Sequence, residues 1–137
     1  MYNEQIMNRF LEPKYAGKIM NADGVGSAKN EQYGDVLKIF LTIEDDRIVN
    51  ARFKAFGSPI TFCASDIAVE KIIGKTLDEA LELTNYEIEC EIEEENKEKL
   101  RQSILAEEAI LAAVTDYRKK IAKLEKKAKK AQSGEEL

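Results

Sequence analysis

The stretch VLKIFLTIEDDRIVNARFKAFG, residues 36–57, decides the fold of this 137-residue chain. Its first half alternates with a period of two. Leu37, Ile39, Leu41 and Ile43 share one face, and Lys38 and Thr42 lie on the other. Glu44-Asp45-Asp46 forms a polar turn. The second half alternates again, with Val49, Ala51, Phe53 and Ala55 on one face against Asn50, Arg52 and Lys54. Two such runs joined by a short turn predict an antiparallel hairpin with one face toward a core.

Helical spacing flanks the hairpin. Upstream, Tyr2, Ile6, Met7 and Phe10 share a helical face until Pro13 stops the pattern. Residues 13–34 contain Gly17, Asp23-Gly24, Gly26 and Gly34 and read as loop with one irregular edge strand. Downstream, residues 59–73 read as a helix ending at Gly74. Thr76-Leu77-Asp78-Glu79 is a capping-box pattern for a short helix reaching about Leu83. The acidic residues 84–98 suggest a second short helix, and a long helix is expected from about Leu100. Along it Ile110, Val114, Tyr117, Ile121, Leu124, Ala128 and Ala131 recur at spacings of four and three. This seam could pack on a partner or on a second copy, or leave a solvated helix. Gln132–Leu137 are expected to be disordered. The class is α+β: a small antiparallel sheet with helices covering one face.

The corner Gly57-Ser58-Pro59 joins hairpin to helix, and a serine there can be a nucleophile or a helix cap. The chain has no histidine, which removes Ser-His-Asp and Cys-His catalysis and the commonest zinc ligand. No oxyanion-hole motif accompanies Ser58 either. Serine at the cap with Pro59 at the first helical position is the expected role, and no enzyme activity is expected.

The formal charge of −5 is unevenly spread. Residues 118–137 carry eight basic and three acidic side chains, so residues 1–117 carry −10. An acidic body argues against nucleic acid as the main partner. No apolar run approaches the ~20 residues that span a bilayer, and MYNEQIMNRF lacks the pattern of a signal peptide. Cys63 and Cys90 lie far apart in sequence and form no disulfide framework or paired metal motif. These features predict a cytoplasmic protein with two reduced thiols and no membrane partner.

Several stretches, in order, carry a resemblance: EPKYAG (12–17), ADGVGS (22–27), YGDVLKIFLTI (33–43), RFKAFG (52–57), GKTLDEAL (74–81) and SILAEEAILAAVTDY (103–117). Together they resemble the IscU and NifU N-terminal family of iron–sulfur cluster scaffolds, over residues 2 to about 120. The resemblance implies a three-stranded antiparallel sheet packed against helices, with an edge strand near residues 25–33 and a long C-terminal helix. It divides the chain into a domain at 1–120 and a basic helical extension at 121–137.

The resemblance also implies a site. Three cysteine thiolates meet at one end of the sheet beside an aspartate, a donor set suited to iron and sulfide. The first stands before Gly-Asp, the second after the glycine ending the last strand, the third before Ser-Ile-Leu-Ala-Glu. Here those positions hold Tyr33, Ser58 and Gln102, and only Asp35 matches. The position before the third cysteine, often histidine in the family, is Arg101. The segment EIEEENKEKL lacks the Leu-Pro-Pro-Val-Lys motif by which some members engage a chaperone. Cys63 reads as a small core residue, and Cys90 lies in the acidic segment. The two could instead join Asp35 as alternative thiol ligands. Tyr33, Asp35, Ser58 and Gln102 could form an oxygen-rich pocket, with a hydrogen-bonded plug the expected structure. Asp35 could also simply begin the strand.

The resulting expectation is a scaffold-family protein that has lost its cluster ligands, needs no cofactor, and acts as an accessory or regulatory partner of a cysteine desulfurase or another assembly protein. Two alternatives remain at this point. One is a working scaffold or carrier that holds iron or a cluster through non-standard ligands. The other is a protein-binding module unrelated to iron–sulfur chemistry.

Overall fold

In the computed structural model, which describes residues 2–133, the hairpin consists of strands β2 (Asp35–Glu44) and β3 (Arg47–Phe56). Asp45 and Asp46 both take positive φ, 51° and 62°, as a two-residue turn of matching twist requires. Strand β1 (Gly24–Asn30) pairs antiparallel with β2, giving the order β1-β2-β3. The edge strand is thus real but ends before Tyr33.

The register corrects one expectation. From the open end, Leu37 pairs with Ala55, Ile39 with Phe53 and Leu41 with Ala51, all on the buried face. From the turn, Glu44 pairs with Arg47 and Ile43 with Ile48. The two phases differ by one residue, and a bulge absorbs the difference at Val49. Val49 therefore turns outward, 41% exposed, and Ile48 takes its place in the core.

Five helices cover the sheet's buried side and its ends, together with α1 (Glu4–Leu11): α2 (Pro59–Ile72), α3 (Leu77–Leu81), α4 (Asn85–Glu89), α5 (Lys97–Gln102) and α6 (Ala106–Ser133). Asn3 caps α1, accepting from the Ile6 amide at 2.9 Å. Arg9 of α1 reaches the fully buried Asp66 of α2 at 2.7 Å, and the same carboxylate accepts from the Tyr15 amide at 2.8 Å. The pair fastens α1 and the following loop to α2. The Thr76–Glu79 capping box of α3 is present in both directions.

Helix α6 lies against β1 because Gly24 and Gly26 have no side chains on the face it covers. A Cβ at Gly26 would sit 2.1 Å from the Ala113 nitrogen. The expected start of this helix at Leu100 is corrected. Leu100 belongs to α5, and Ser103-Ile104-Leu105 break the helix before Ala106. Those three residues and Ala106 are all buried between the end of α5 and the start of α6. The seam expected along α6 divides. Ile110 and Val114 are buried in the domain, whereas Leu124 is 62% exposed. Gln132 and Ser133 are helical, and residues 134–137 of the segment expected to be disordered lie outside the described residues. Among the described residues no helix is long and apolar enough to cross a membrane.

Candidate functional site

At one end of the sheet the β1–β2 connection, the β3–α2 corner and α5 converge. Gly34, at φ 74°, closes the connection, and its amide donates to the Asn30 carbonyl at 2.7 Å. Asp35 follows as the first residue of β2 and is only 5% exposed. It does more than begin the strand. Its carboxylate is hydrogen-bonded to the Thr61 hydroxyl, from a fully buried residue in the first turn of α2. Burial raises the Asp35 pKa above the usual carboxylate value, opposed by the Thr61 hydrogen bond and the charge of Lys99.

Gly57 makes this possible twice over. It holds φ 150°, and a Cβ there would fall 2.4 Å from Asp35 Oδ1 and 2.7 Å from Thr61 Oγ1. Beside it Ser58 occupies the N-cap of α2 with Pro59 following, as expected. The expected capping bond is absent: no helix amide donates to Ser58 Oγ, which lies 3.4 Å from Thr61 Oγ1 instead. The serine caps by position, not by its side chain.

Tyr33, Asp35 and Ser58 line one cavity of about 500 Å³, together with Phe56, Ser103 and Lys99. The expected plug is therefore corrected. Tyr33 is 54% exposed and leaves the space open, and Phe56 stands at the rim 72% exposed. Gln102 comes only to the edge. Its carbonyl accepts from Asn30 Nδ2 at 3.0 Å, tying α5 to the β1–β2 connection. Its side chain donates to Glu98 at 3.4 Å, while Oε1 is buried without a hydrogen-bond partner. Ser103 beside it supplies the lining. Arg101 is turned away and pairs with Glu89 at 2.9 Å.

Neither thiol lines the cavity. Cys63 is fully buried in the core face of α2, where burial pushes its pKa up to about 11. Cys90 is exposed at the C-terminal cap of α4. Four lining residues escaped the sequence reading: Phe56, Asn96, Glu98 and Lys99. Lys99 lies over the Tyr2 ring, 4.7 Å from its centroid, and bonds the Tyr2 hydroxyl. Phe56, last in its strand, offered only its place before Gly57 as a signal.

The pattern of the NifU-like N terminal domain matches residues 1–124. The chain belongs to this family. Among relatives of this NifU-like domain, an iron–sulfur cluster assembly scaffold protein IscU of Archaeoglobus fulgidus is 35% identical over 126 residues, covering 92% of this chain and 82% of the relative. The IscU scaffold protein of Escherichia coli K12 is 36% identical over 123 residues, covering 87% of this chain and 95% of the relative. The crystal structure of a protein from Fervidobacterium islandicum, described as a scaffold for the SUF system, superposes with a TM-score of 0.68 at 28% identity. It covers 82% of this chain and 96% of that one. A NifU-like N-terminal protein of Brucella abortus shares the fold at 17% identity, with a TM-score of 0.62, covering 85% of this chain and 91% of that one.

The cargo in those names is an iron–sulfur cluster, and the lining does not fit it. Cluster irons take thiolate sulfur. The cavity offers a phenol, hydroxyls, an amide and the carboxylates of Asp35 and Glu98, with an ammonium beside them and no sulfur. Among the described residues no three histidine, cysteine or acidic side chains are grouped so as to hold a metal ion.

Proposed function

We propose that this NifU-like domain has lost the cluster-holding step and acts as an accessory or regulatory partner in iron–sulfur cluster assembly. One observation carries the reading: Tyr33, Asp35 and Ser58 line one cavity, and it offers oxygen and ammonium but no sulfur. A site with no thiolate is a poor anchor for soft iron–sulfide units. On this reading Tyr33, Ser58 and Gln102 stand where the family's ligands stand, and the chain is not an enzyme. Its partner is a cysteine desulfurase or another assembly protein, met in the cytoplasm.

Two experiments test this. The first is anaerobic reconstitution with iron, sulfide and thiol, beside the variant Tyr33→Cys, Ser58→Cys, Gln102→Cys. Wild type should remain colourless, and the variant should take up iron and sulfide with visible absorption. The variant should remain folded. Tyr33 is half exposed, so its truncation costs well under the ~3–5 kcal/mol of a buried aromatic. Ser58→Cys is nearly isosteric at a helix N-terminus that favours thiolate. Gln102→Cys removes the orphaned Oε1, relieving a desolvation cost of about 1–3 kcal/mol. A folded variant that binds no more iron than wild type would show that the three positions do not converge. Labile sulfide in wild type, lost in Cys63→Ala or Cys90→Ala, would show a working scaffold with unusual ligands. The second experiment is a pull-down with a cysteine desulfurase. Absence of binding would remove the assembly role and leave an unrelated binding module.

A further inference from the structure

Helix α6 outruns its domain. Its last ion pair to the body is Arg118 with Asp78 at 2.8 Å, and beyond it every described side chain is exposed except the half-buried Ile121. Residues 119–133 extend about 22 Å at 1.5 Å per residue. Residues 118–133 carry eight basic side chains and one acidic, a net +7. Leu124 sits among Lys120, Lys123 and Lys127 on one face, an apolar knob inside a basic ring.

The same chain carries the complement. Residues 82–98 hold eight glutamates and one lysine, a net −7. Where this segment meets the end of α2 and α3, a groove of about 630 Å³ runs between them, with Ile73 and Leu83 partly buried in it, and Glu70, Glu79, Glu82 and Glu87 outnumber Lys71 and Lys75 along it. We infer that this groove receives the α6 extension of a second copy of the chain, with Leu124 on Ile73 and Leu83 and the lysines beside Glu82 and Glu87. This is helix-in-groove recognition with charge setting the partner.

Connectivity and charge narrow the occupant. The extension cannot fold back onto its own groove, because α6 is one continuous helix from Ala106 to Ser133. Tail against tail would set +7 against +7. A polyanion such as RNA or an anionic membrane would meet the −10 of residues 1–117 as it approached. A second copy offers a net-acidic groove, four glutamates against two lysines, with Ile73 and Leu83 in it and the other glutamates of residues 82–98 nearby. One helix in one groove is small against the ~800 Å² per partner of a stable interface, and the reciprocal exchange of two helices doubles it. The assembly is therefore a closed dimer with each extension in its partner's groove.

The test is solution mass of the full chain by light scattering. Wild type should show twice its 15.5 kDa mass at about 0.1 M salt and dissociate toward monomer at about 1 M, where the Debye length falls to ~3 Å. Leu124→Glu, the pair Lys123→Glu with Lys127→Glu, and the pair Glu82→Lys with Glu87→Lys should each be monomeric with unchanged circular dichroism. All lie on exposed positions, so folding is not at stake. The two charge-reversed variants, mixed, should recover the dimer mass, because each reversed surface then meets its complement. Wild type that stays monomeric at all concentrations overturns the inference. So does a groove variant that still dimerises, which would indicate tail-to-tail pairing. Monomeric wild type that binds a short RNA or anionic vesicles would assign the extension to those partners instead.

Discussion

Gly26→Ala should destabilise this domain far more than an alanine in a strand usually does. Gly26 is not one of the residues at positive φ, so the added methyl brings no backbone strain of its own. What it meets is α6. The new Cβ would lie 2.1 Å from the Ala113 nitrogen, 2.5 Å from the Ala112 carbonyl carbon and 2.7 Å from the Ala112 Cβ. Two of these are backbone atoms of a helix and cannot rotate aside. To reach ordinary contact at 3.4 Å, helix and strand must separate by about 1.3 Å at this point. A gap of that order forfeits a quarter to a half or more of each contact's attraction, and Ala109, Ala113 and Val114 all lie fully buried along the same face. Overpacking of this kind costs ~1–3 kcal/mol, and rigid backbone on both sides puts the expectation near the upper end. The lower unfolded-state entropy of alanine returns ~0.4–1 kcal/mol. The net expectation is a loss of about 2 kcal/mol, read as a lower urea midpoint with unchanged slope. Ser27→Ala, on the exposed face one residue away, is the control and should stay within ~0.5 kcal/mol of wild type. If Gly26→Ala matched that control, α6 would not rest on β1 as closely as described.

Asp35 gives a pH prediction of definite sign. Burial raises its folded pKa above 3.8, so the folded chain keeps this proton at a pH where the unfolded chain has lost it. Its contribution to stability is present below the unfolded value and is lost as pH rises through the folded one. Asp35→Asn should therefore melt higher than wild type at pH 7, with the gain shrinking as pH falls through the raised folded value and gone below the ordinary 3.8. A variant less stable at pH 7 would mean that Thr61 and Lys99 outweigh burial. The thiols should separate in a titration with a disulfide reagent: Cys90 reacts at once and Cys63 only on unfolding. Because the folded Cys63 thiol titrates near 11 against an ordinary value of 9.0, its share of stability should disappear between those pH values. Alkaline melts of wild type and Cys63→Ala check this: the two should converge there, and prompt reaction of both thiols in native protein would contradict the burial.

What the sequence made legible was whatever one element carries by itself. The alternation of Leu37, Ile39 and Leu41 names a strand and its buried face without reference to the rest of the molecule. Thr76 and Glu79 cap a helix with atoms three residues apart, and the structure contains both bonds. Val49 was misplaced because its orientation is settled by two pairings that begin at opposite ends of the hairpin. The break at Ser103 was missed for a related reason. KEKLRQSILAEEAIL contains no glycine or proline, so no local signal marks the break at the buried Ser103-Ile104-Leu105. Lys99 escaped because its place at the cavity depends on how α5 docks, which no local pattern encodes.

The candidate site divides along the same line, and the division bears on how such a site can change its chemistry. Its shape is held by groups that are not the expected ligands. Gly57 makes room for the Asp35 carboxylate, Gly34 turns the chain into β2, and Asn30 binds the Gln102 carbonyl. None of these contacts uses the side chain of Tyr33, Ser58 or Gln102. Their identities can therefore drift from sulfur to oxygen or amide while the backbone around them stays in place. The converse also holds. Gly57→Ala would drive a methyl into Asp35 Oδ1 and Thr61 Oγ1 and distort the cavity without touching any candidate ligand. Donor chemistry and cavity geometry are separable here, and that makes replacing the three side chains alone a fair trial of whether these positions can hold a cluster.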